Sequence, residues 1–132
     1  MVADLFHYGH VEFLKKASEF GNHLIVGIHS DETVQANKRN PILSMEERAA
    51  SVTGCRYVHE VVQDAPWIMD AAWIDKHKID VVVHGDDPSS EQIAHIYKVP
   101  ISMGIFRTVP YTPTISTTEI IRRCQEANTS PV

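Results

Sequence analysis

Two histidines three residues apart lie near the start of the chain, and their spacing suits phosphate binding. His7 and His10 flank Gly9 and run directly into a segment with the apolar spacing of a helix. On a first helical turn, residues at i and i+3 project to one side, so both imidazoles could reach one phosphate. The unpaired N–H groups of that turn and the positive end of the helix dipole point the same way. Taken alone, these residues also fit two surface histidines near a chain end, so the rest of the chain must decide.

Length and composition predict a soluble protein with a single domain, long enough for one α/β fold. The 132 residues are 43% hydrophobic and 22% charged, and the net charge of −5 argues against a nucleic-acid partner. Cys55 and Cys124 lack CxxC spacing and are expected to be free thiols in a reducing compartment. No apolar run approaches the ~20 residues of a membrane span, and no signal peptide is visible. We therefore expect a cytoplasmic protein without stable membrane insertion.

Helical and strand-like segments alternate, which predicts a doubly wound parallel sheet with helices on both faces, the Rossmann-like α/β class. A capping box opens one helix, with Ser44 as N-cap and Glu47 at N3. The catalytic domain is expected over residues 1–126, with a frayed tail at 127–132. The predicted helices cover 11–20, a short segment at 32–35 capped by residues 30–31, 44–54, 65–78, 90–98 and 116–126. The predicted strands cover 23–29, 56–62 and 80–84, with a last one inside 101–109.

Ligands of such sheets bind at the carboxyl ends of the strands, which selects the loops at 30–31, 84–87 and 114–118. The histidine turn should follow a strand as well, yet only residues 1–3 precede Asp4. A first strand of ~5 residues is normally needed in the middle of the sheet. We expect that the natural polypeptide begins further upstream; the alternative is that residues 1–3 are the stub of that strand.

Several segments together resemble one superfamily. Residues 4–10, DLFHYGH, resemble the HxGH signature of nucleotidyltransferases, and residues 115–123, ISTTEIIRR, resemble their ISTTxxIxR signature. RYVHEVV at 56–62 and APW at 65–67 are similar to segments of the choline-phosphate, ethanolamine-phosphate and glycerol-3-phosphate cytidylyltransferases. Adenylyltransferases generally share only the two end signatures, so the resemblance favours CTP over ATP.

The resemblance implies a reaction. An alcohol phosphate attacks the α-phosphate of CTP, pyrophosphate leaves without a covalent enzyme intermediate, and a CDP-alcohol for phospholipid synthesis forms. Phosphoethanolamine or phosphocholine ranks first as acceptor and glycerol 3-phosphate second. Mg²⁺ is expected with the CTP, and a homodimer is usual in the family. The alternative to an enzyme is a domain that binds CTP without catalysing a reaction.

The resemblance also implies roles for individual residues. His7, His10 and Lys38 are expected to act on the phosphates in catalysis. Nucleotide contacts are expected from the two end signatures and from the loop after the third strand, at Asp4, Phe6, Gly9, Asp86, Ser116, Thr117 and Thr118. Substrate contacts are expected from Arg48, Arg56, Trp67 and Arg107, where Trp67 would be an aromatic wall for a quaternary ammonium group. The remaining histidines lack metal-ligand spacing, so no protein metal site is expected.

Structural alternatives stand beside several of these roles. Lys38 could belong to a solvated loop, Arg56 could pair with Glu60, and Trp67 could pack in the core. Asp86 and its neighbour could cap a turn before Pro88. The sequence also departs from the family pattern: an aromatic is replaced by Ala3, an aspartate by His59 and a common glycine by Thr114, and the link that follows Arg107 is longer.

Overall fold

Helices and short parallel strands alternate along residues 1–129, the part of the chain that the computed structural model describes, with side chains described to residue 127. The strands are β1 (Ile25–Ile28), β2 (Glu60–Gln63), β3 (Val82–Gly85) and β4 (Phe106–Val109). The helices are α1 (Tyr8–Ser18), α2 (Asp31–Asn37), α3 (Met45–Thr53), α4 (Ala71–Lys76), α5 (Ser90–Ile96), α6 (Lys98–Ser102) and α7 (Thr117–Thr129).

All strand pairing is parallel within the described residues, which confirms the predicted α/β fold. Strand β1 pairs with β2 in the register Val26 to Val61, and β3 pairs with β4 in the register Val83 to Arg107. The strands form two separate two-stranded sheets in place of the single sheet that the alternation predicted. Each strand is only four residues long, so the sheets hold the loops at their carboxyl ends with few hydrogen bonds.

Residue 1 lies on the free edge of β1. The amino group of Met1 donates to the carbonyl of Gly27 over 2.6 Å, and the N–H of His29 donates to the carbonyl of Met1 over 3.2 Å. The neighbouring carbonyl of Ile28 instead accepts from Ala65, on the side of β2. This pattern is that of one parallel bridge, so the chain enters the histidine turn from the position of a strand next to β1.

The core lies where α1 and α3 pack on β1. Leu14 of α1, Ile28 of β1 and Val52 of α3 are almost fully buried, with at most 1% of each residue exposed. The amphipathic spacing of α1 explains its buried face, and Ser44 and Glu47 form the predicted capping box of α3. These contacts fix the start of α1, and therefore the histidines, against the carboxyl end of β1.

Several boundaries differ from those predicted. The segment from Ala65 to Trp67 is loop, because Asp64 adopts a left-handed backbone (φ 62°) and Asp70 is the N-cap of α4. The predicted strand 56–62 begins only at Glu60, and the chain turns at Gly104 (φ 73°) before β4. Helix α7 continues to Thr129, while residues 130–132 of the predicted tail lie outside the described residues. No helix among the described residues is long and apolar enough to cross a membrane.

Candidate active site

The histidine turn is held by reciprocal capping at the start of α1. His7 is the N-cap residue, and its Nδ1 accepts a hydrogen bond of 3.1 Å from the N–H of Gly9. The Nδ1 of His10 accepts a hydrogen bond of 3.1 Å from the N–H of His7. The ring centroids of the two histidines are 3.8 Å apart. The two imidazoles therefore form one unit, side by side as the i, i+3 spacing predicts.

These hydrogen bonds decide which nitrogen carries the proton. A neutral imidazole whose Nδ1 accepts a backbone N–H must carry its proton on Nε2, so each ring keeps one N–H donor for a ligand. Burial, reinforced by the neighbouring His7, lowers the pKa of His10 to about 3, while Asp4 acts in the opposite sense. Burial also lowers the pKa of His7. At neutral pH the pair consists of two uncharged donors in a fixed tautomer.

Two neighbours restrict how these rings can move. The ring of Phe6 stacks on His10 with centroids 5.4 Å apart and planes 5° apart, so Phe6 supports the catalytic candidate from the side. Gly9 permits close packing against the segment before α7, because a Cβ there would lie 2.9 Å from Cε1 of His7 and from Cγ2 of Ile115. The glycine thus lets the two motifs approach each other.

The start of α7 supplies donors for an anion. Ser116 precedes the helix, and its Oγ accepts a hydrogen bond of 3.0 Å from the N–H of Glu119. The N–H groups of Thr117 and Thr118 have no acceptor among residues 1–129. They stand at the positive end of a helix of 13 residues and line the same cavity as the histidines.

Asp4 joins three loops of the site. Its buried carboxylate accepts hydrogen bonds of 2.8 and 2.9 Å from the N–H groups of Ile42 and Leu43. Its carbonyl accepts a hydrogen bond of 2.8 Å from Oγ1 of Thr117. Both carboxylate oxygens are therefore engaged with the backbone, and Asp4 fixes the loop after α2 and the start of α7 to the histidine turn.

The end of the cavity around Trp67 combines aromatic and basic groups. Nζ of Lys38 lies 5.8 Å from the centroid of the Trp67 ring, and the ring of His29 lies 5.0 Å from it. Nδ1 of His29 is 2.9 Å from the carbonyl of Ala65. The cavity of about 980 Å³ brings together most of the predicted site residues, namely Asp4, His7, Gly9, His10, Lys38, Trp67, Ser116, Thr117 and Thr118.

Arg48 has a structural setting that differs from the predicted substrate contact. Its side chain is fully buried, and Nη2 lies 2.8 Å from Oδ1 of Asp31. The guanidinium also donates to the carbonyls of Val2, His29 and Leu43 over 2.8 to 3.1 Å. A buried charge with this many protein acceptors holds the loops around β1 together, so Arg48 acts on the site through its scaffold.

Four further predicted residues lie outside the cavity wall: Phe6, which stacks on His10, and Arg56, Arg107 and Asp86. The guanidinium of Arg56 lies over the ring of Tyr57, 5.5 Å from its centroid, while Glu60, the partner considered for it, approaches His23. Arg107 is exposed and donates to backbone carbonyls near its own strand. The carboxylate of Asp86 accepts from the N–H of Tyr111 and thus braces the loop after β4.

The cavity wall also contains residues to which the sequence assigned no role, namely His29, His84, Asp87 and Tyr97. Burial lowers the pKa of His29 to about 3 and also lowers that of His84. The ring of Tyr97 stacks on Phe106 and lies 5.1 Å from His84, and burial raises the pKa of its phenol. Their positions in the sequence could have indicated His29 and His84, because both lie at the carboxyl ends of predicted strands, where ligands of parallel sheets bind.

Comparison with known proteins places this chain in a sequence family. The profile of the cytidylyltransferase-like family matches residues 2–123. The ethanolamine-phosphate cytidylyltransferase of Arabidopsis thaliana is 46% identical over 91% of this chain and 30% of its own length. The corresponding enzyme of Dictyostelium discoideum is 45% identical over 91% of this chain and 35% of its own. Choline-phosphate cytidylyltransferase 2 of Arabidopsis thaliana is 36% identical over 92% of this chain and 42% of its own.

The chain spans about a third of the length of the ethanolamine-phosphate relatives named here. Among solved structures, the lipopolysaccharide core biosynthesis protein from Thermoplasma volcanium GSS1 superposes with a TM-score of 0.68 at 23% identity, covering 85% of this chain and 91% of that one. This likeness agrees with the fold described above.

Proposed function

We propose that this chain, which belongs to the cytidylyltransferase-like family, transfers the cytidylyl group of CTP to phosphoethanolamine. An oxygen of the acceptor phosphate forms a bond to the α-phosphorus of CTP, and the bond to the β,γ-pyrophosphate breaks. The products are CDP-ethanolamine, a precursor for phospholipid synthesis, and pyrophosphate. Relatives named as ethanolamine-phosphate cytidylyltransferases, 38 to 46% identical, support this acceptor ahead of phosphocholine and glycerol 3-phosphate.

The observation that carries the proposal is that the histidine turn and the start of α7 line one cavity. Two Nε2–H donors from His7 and His10 stand at one wall, and the free N–H groups of Thr117 and Thr118 stand at another. The hydrogen bond from Thr117 to the carbonyl of Asp4 fixes the two walls to each other. Donors held in place before the substrate arrives can stabilise the charge that develops on a transferring phosphoryl group.

Each wall then has its own task. His7 and His10 donate to the α-phosphate, where negative charge builds as the acceptor oxygen approaches. Lys38 adds positive charge close to both reacting phosphates. The hydroxyl of Ser116 and the first amides of α7 hold the β- and γ-phosphates, and thereby stabilise the leaving pyrophosphate.

CTP enters as its magnesium complex, in which the metal is part of the substrate. Among residues 1–129, no group of three histidine, cysteine or carboxylate side chains is arranged to hold a metal ion. Phosphate oxygens and water are the usual ligands of Mg²⁺ at nucleotide sites. The magnesium neutralises charge on the triphosphate, and the protein positions the complex.

We place the acceptor at the cavity end formed by His29, Lys38 and Trp67. The indole face of Trp67 can attract a cationic amino group, and Lys38 can pair with the phosphate at the other end of a short amino-alcohol phosphate. Glycerol 3-phosphate has no cation for the indole. The geometry therefore favours an amino-alcohol phosphate.

Pyrophosphate release tests the proposed reaction. The purified protein is incubated with CTP and Mg²⁺ and with phosphoethanolamine, phosphocholine or glycerol 3-phosphate. Phosphoethanolamine is expected to give the highest kcat/KM. CTP binding without turnover on any acceptor would contradict the proposal and support a non-catalytic CTP-binding domain.

A cytoplasmic homodimer completes the proposal. The two cysteines, Cys55 and Cys124, are both free, as expected in a reducing compartment.

The proposed homodimer rests on the family resemblance. Light scattering coupled to size-exclusion chromatography tests it, because a monomer mass at micromolar concentration would contradict it.

A further inference from the structure

The 110–114 segment links β4 to α7 and is tied to three neighbouring elements. Nζ of Lys16, on α1, donates to the carbonyl of Pro110 over 3.2 Å. The N–H of Tyr111 donates to Asp86 over 3.1 Å, and Nη2 of Arg123 donates to the carbonyl of Thr114 over 3.3 Å. The segment lies directly before the phosphate-binding start of α7, so its position sets where that start lies.

One side-chain hydrogen bond joins this segment to the histidine turn. The phenol oxygen of Tyr8 and Oγ1 of Thr114 are 2.6 Å apart. Tyr8 is the residue between His7 and Gly9, and it is 54% exposed. Thr114 lies two residues before Ser116. The bond therefore connects the chain neighbours of both phosphate-binding motifs, although neither side chain is among those that line the cavity.

We infer that Tyr8 is a positioning residue for CTP, which through Thr114 holds the start of α7 at a fixed distance from the histidine turn. The inference rests on the proposed function. Tyr8 has little packing to explain its place, because about half of it faces solvent, and its hydroxyl bonds across 106 positions of sequence to Thr114. Lys16, further along α1, contacts the same segment at the carbonyl of Pro110, so the bond from Tyr8 is the contact nearest in sequence to the two histidines. Losing the bond leaves the donors present but less well placed, so the triphosphate should bind more weakly.

Removal of either hydroxyl tests the inference. Tyr8→Phe and Thr114→Val keep the size of the side chain and remove one partner each. Each variant is expected to raise KM and the directly measured Kd for CTP by ~2- to 10-fold, as for one hydrogen bond of modest net strength, while kcat changes by less than ~2-fold. The double variant should show no further loss, because each single change already breaks the same bond. Tyr57→Phe, which removes a phenol oxygen from a residue at the core, is the matched control.

The outcomes separate this inference from the proposed function. A wild-type protein that binds CTP while Tyr8→Phe binds it equally well would overturn the role of Tyr8 and leave the function intact. A fall in thermal midpoint in both variants with unchanged KM and Kd would also overturn it, because the bond would then be structural only. A wild-type protein that fails to bind CTP would overturn both.

Discussion

Oγ1 of Thr117 donates a hydrogen bond to the backbone carbonyl of Asp4 over 2.8 Å, and so joins residues 113 positions apart in the sequence. The carboxylate of the same Asp4 holds the N–H groups of Ile42 and Leu43. One residue thus joins the histidine turn, the loop after α2 and the start of α7. In the proposed function, the relative placement of the donors for the triphosphate depends on this junction.

Thr117→Val should therefore impair function, although valine and threonine have nearly the same size. Valine keeps the shape of threonine but cannot donate to Asp4, so the start of α7 loses its fixed distance from the histidine turn. We expect kcat/KM for CTP to fall by ~3- to 30-fold, with a loss of about 1 kcal/mol in the free energy of unfolding. Steady-state kinetics and urea unfolding measure the two effects. Thr117→Ser retains the donor and should stay close to wild type; equal defects in both variants would contradict the role of the hydroxyl.

Arg48→Lys should lower stability without changing acceptor affinity. The fully buried guanidinium donates to three backbone carbonyls and to Asp31. The ammonium group of lysine lacks this planar set of N–H donors and cannot make the same hydrogen bonds. We expect a loss of about 2–4 kcal/mol in the free energy of unfolding. KM for the acceptor, measured well below the thermal midpoint, should change by less than ~2-fold. A variant that keeps its stability but shows a strongly raised KM for the acceptor would contradict this structural role and support the substrate contact predicted from the sequence.

The two catalytic candidates should be neutral with their protons on Nε2. Burial lowers the pKa of both imidazoles, that of His10 to about 3, and protonation at either Nδ1 would displace a backbone N–H donor. Nitrogen chemical shifts in NMR spectra of the nucleotide-free protein distinguish the tautomers, and the His7→Asn and His10→Asn variants assign the signals. No titration of the His10 ring is expected between pH 6 and 8, and the midpoint of His7 should lie below that of a free histidine. A midpoint near pH 6.5 for His10 would contradict this assignment.

The same lowered pKa values should make the protein less stable at acidic pH. In the unfolded chain, histidines bind protons below about pH 6.5, whereas His10 and His29 in the folded protein bind them only near pH 3. The unfolded state therefore gains protons first, and the free energy of unfolding should fall as pH decreases from about 6.5 towards 3. Urea unfolding at a series of pH values measures the slope. His10→Asn keeps an acceptor for the N–H of His7 and should flatten the slope; an unchanged slope would contradict the contribution of His10.

Trp67→Leu should weaken acceptor binding selectively. Leucine keeps an apolar side chain but removes the aromatic face, so we expect KM for phosphoethanolamine to rise by ~2- to 20-fold, with KM for CTP nearly constant. Trp67→Phe retains a ring and should recover much of the loss. Steady-state kinetics with each substrate varied in turn measures both constants, and equal increases in the two KM values would argue against an acceptor-specific role.

The sequence predicted the histidine turn and the start of α7 as helix starts because their chemistry is local. His7, His10, Ser116 and Thr117 each lie where a loop becomes a helix, and capping geometry follows from a few adjacent residues. Arg48 could not be assigned in this way, since a charged residue in a helix is usually exposed and its burial results from carbonyls that the fold brings together. The neighbours Asp86 and Asp87 show a second limit, because only the structure reveals that Asp87 faces the cavity while Asp86 braces Tyr111.

Direct detection of the product tests the central claim. Phosphorus NMR can follow a mixture of the protein, CTP, Mg²⁺ and phosphoethanolamine, and we predict that CDP-ethanolamine and pyrophosphate appear together in equal amounts. His10→Asn should preserve the capping of the histidine turn, and therefore the fold, while product formation falls by a factor of ~100 or more. CTP that stays intact with the wild-type protein, or a His10→Asn variant as active as wild type, would contradict the account.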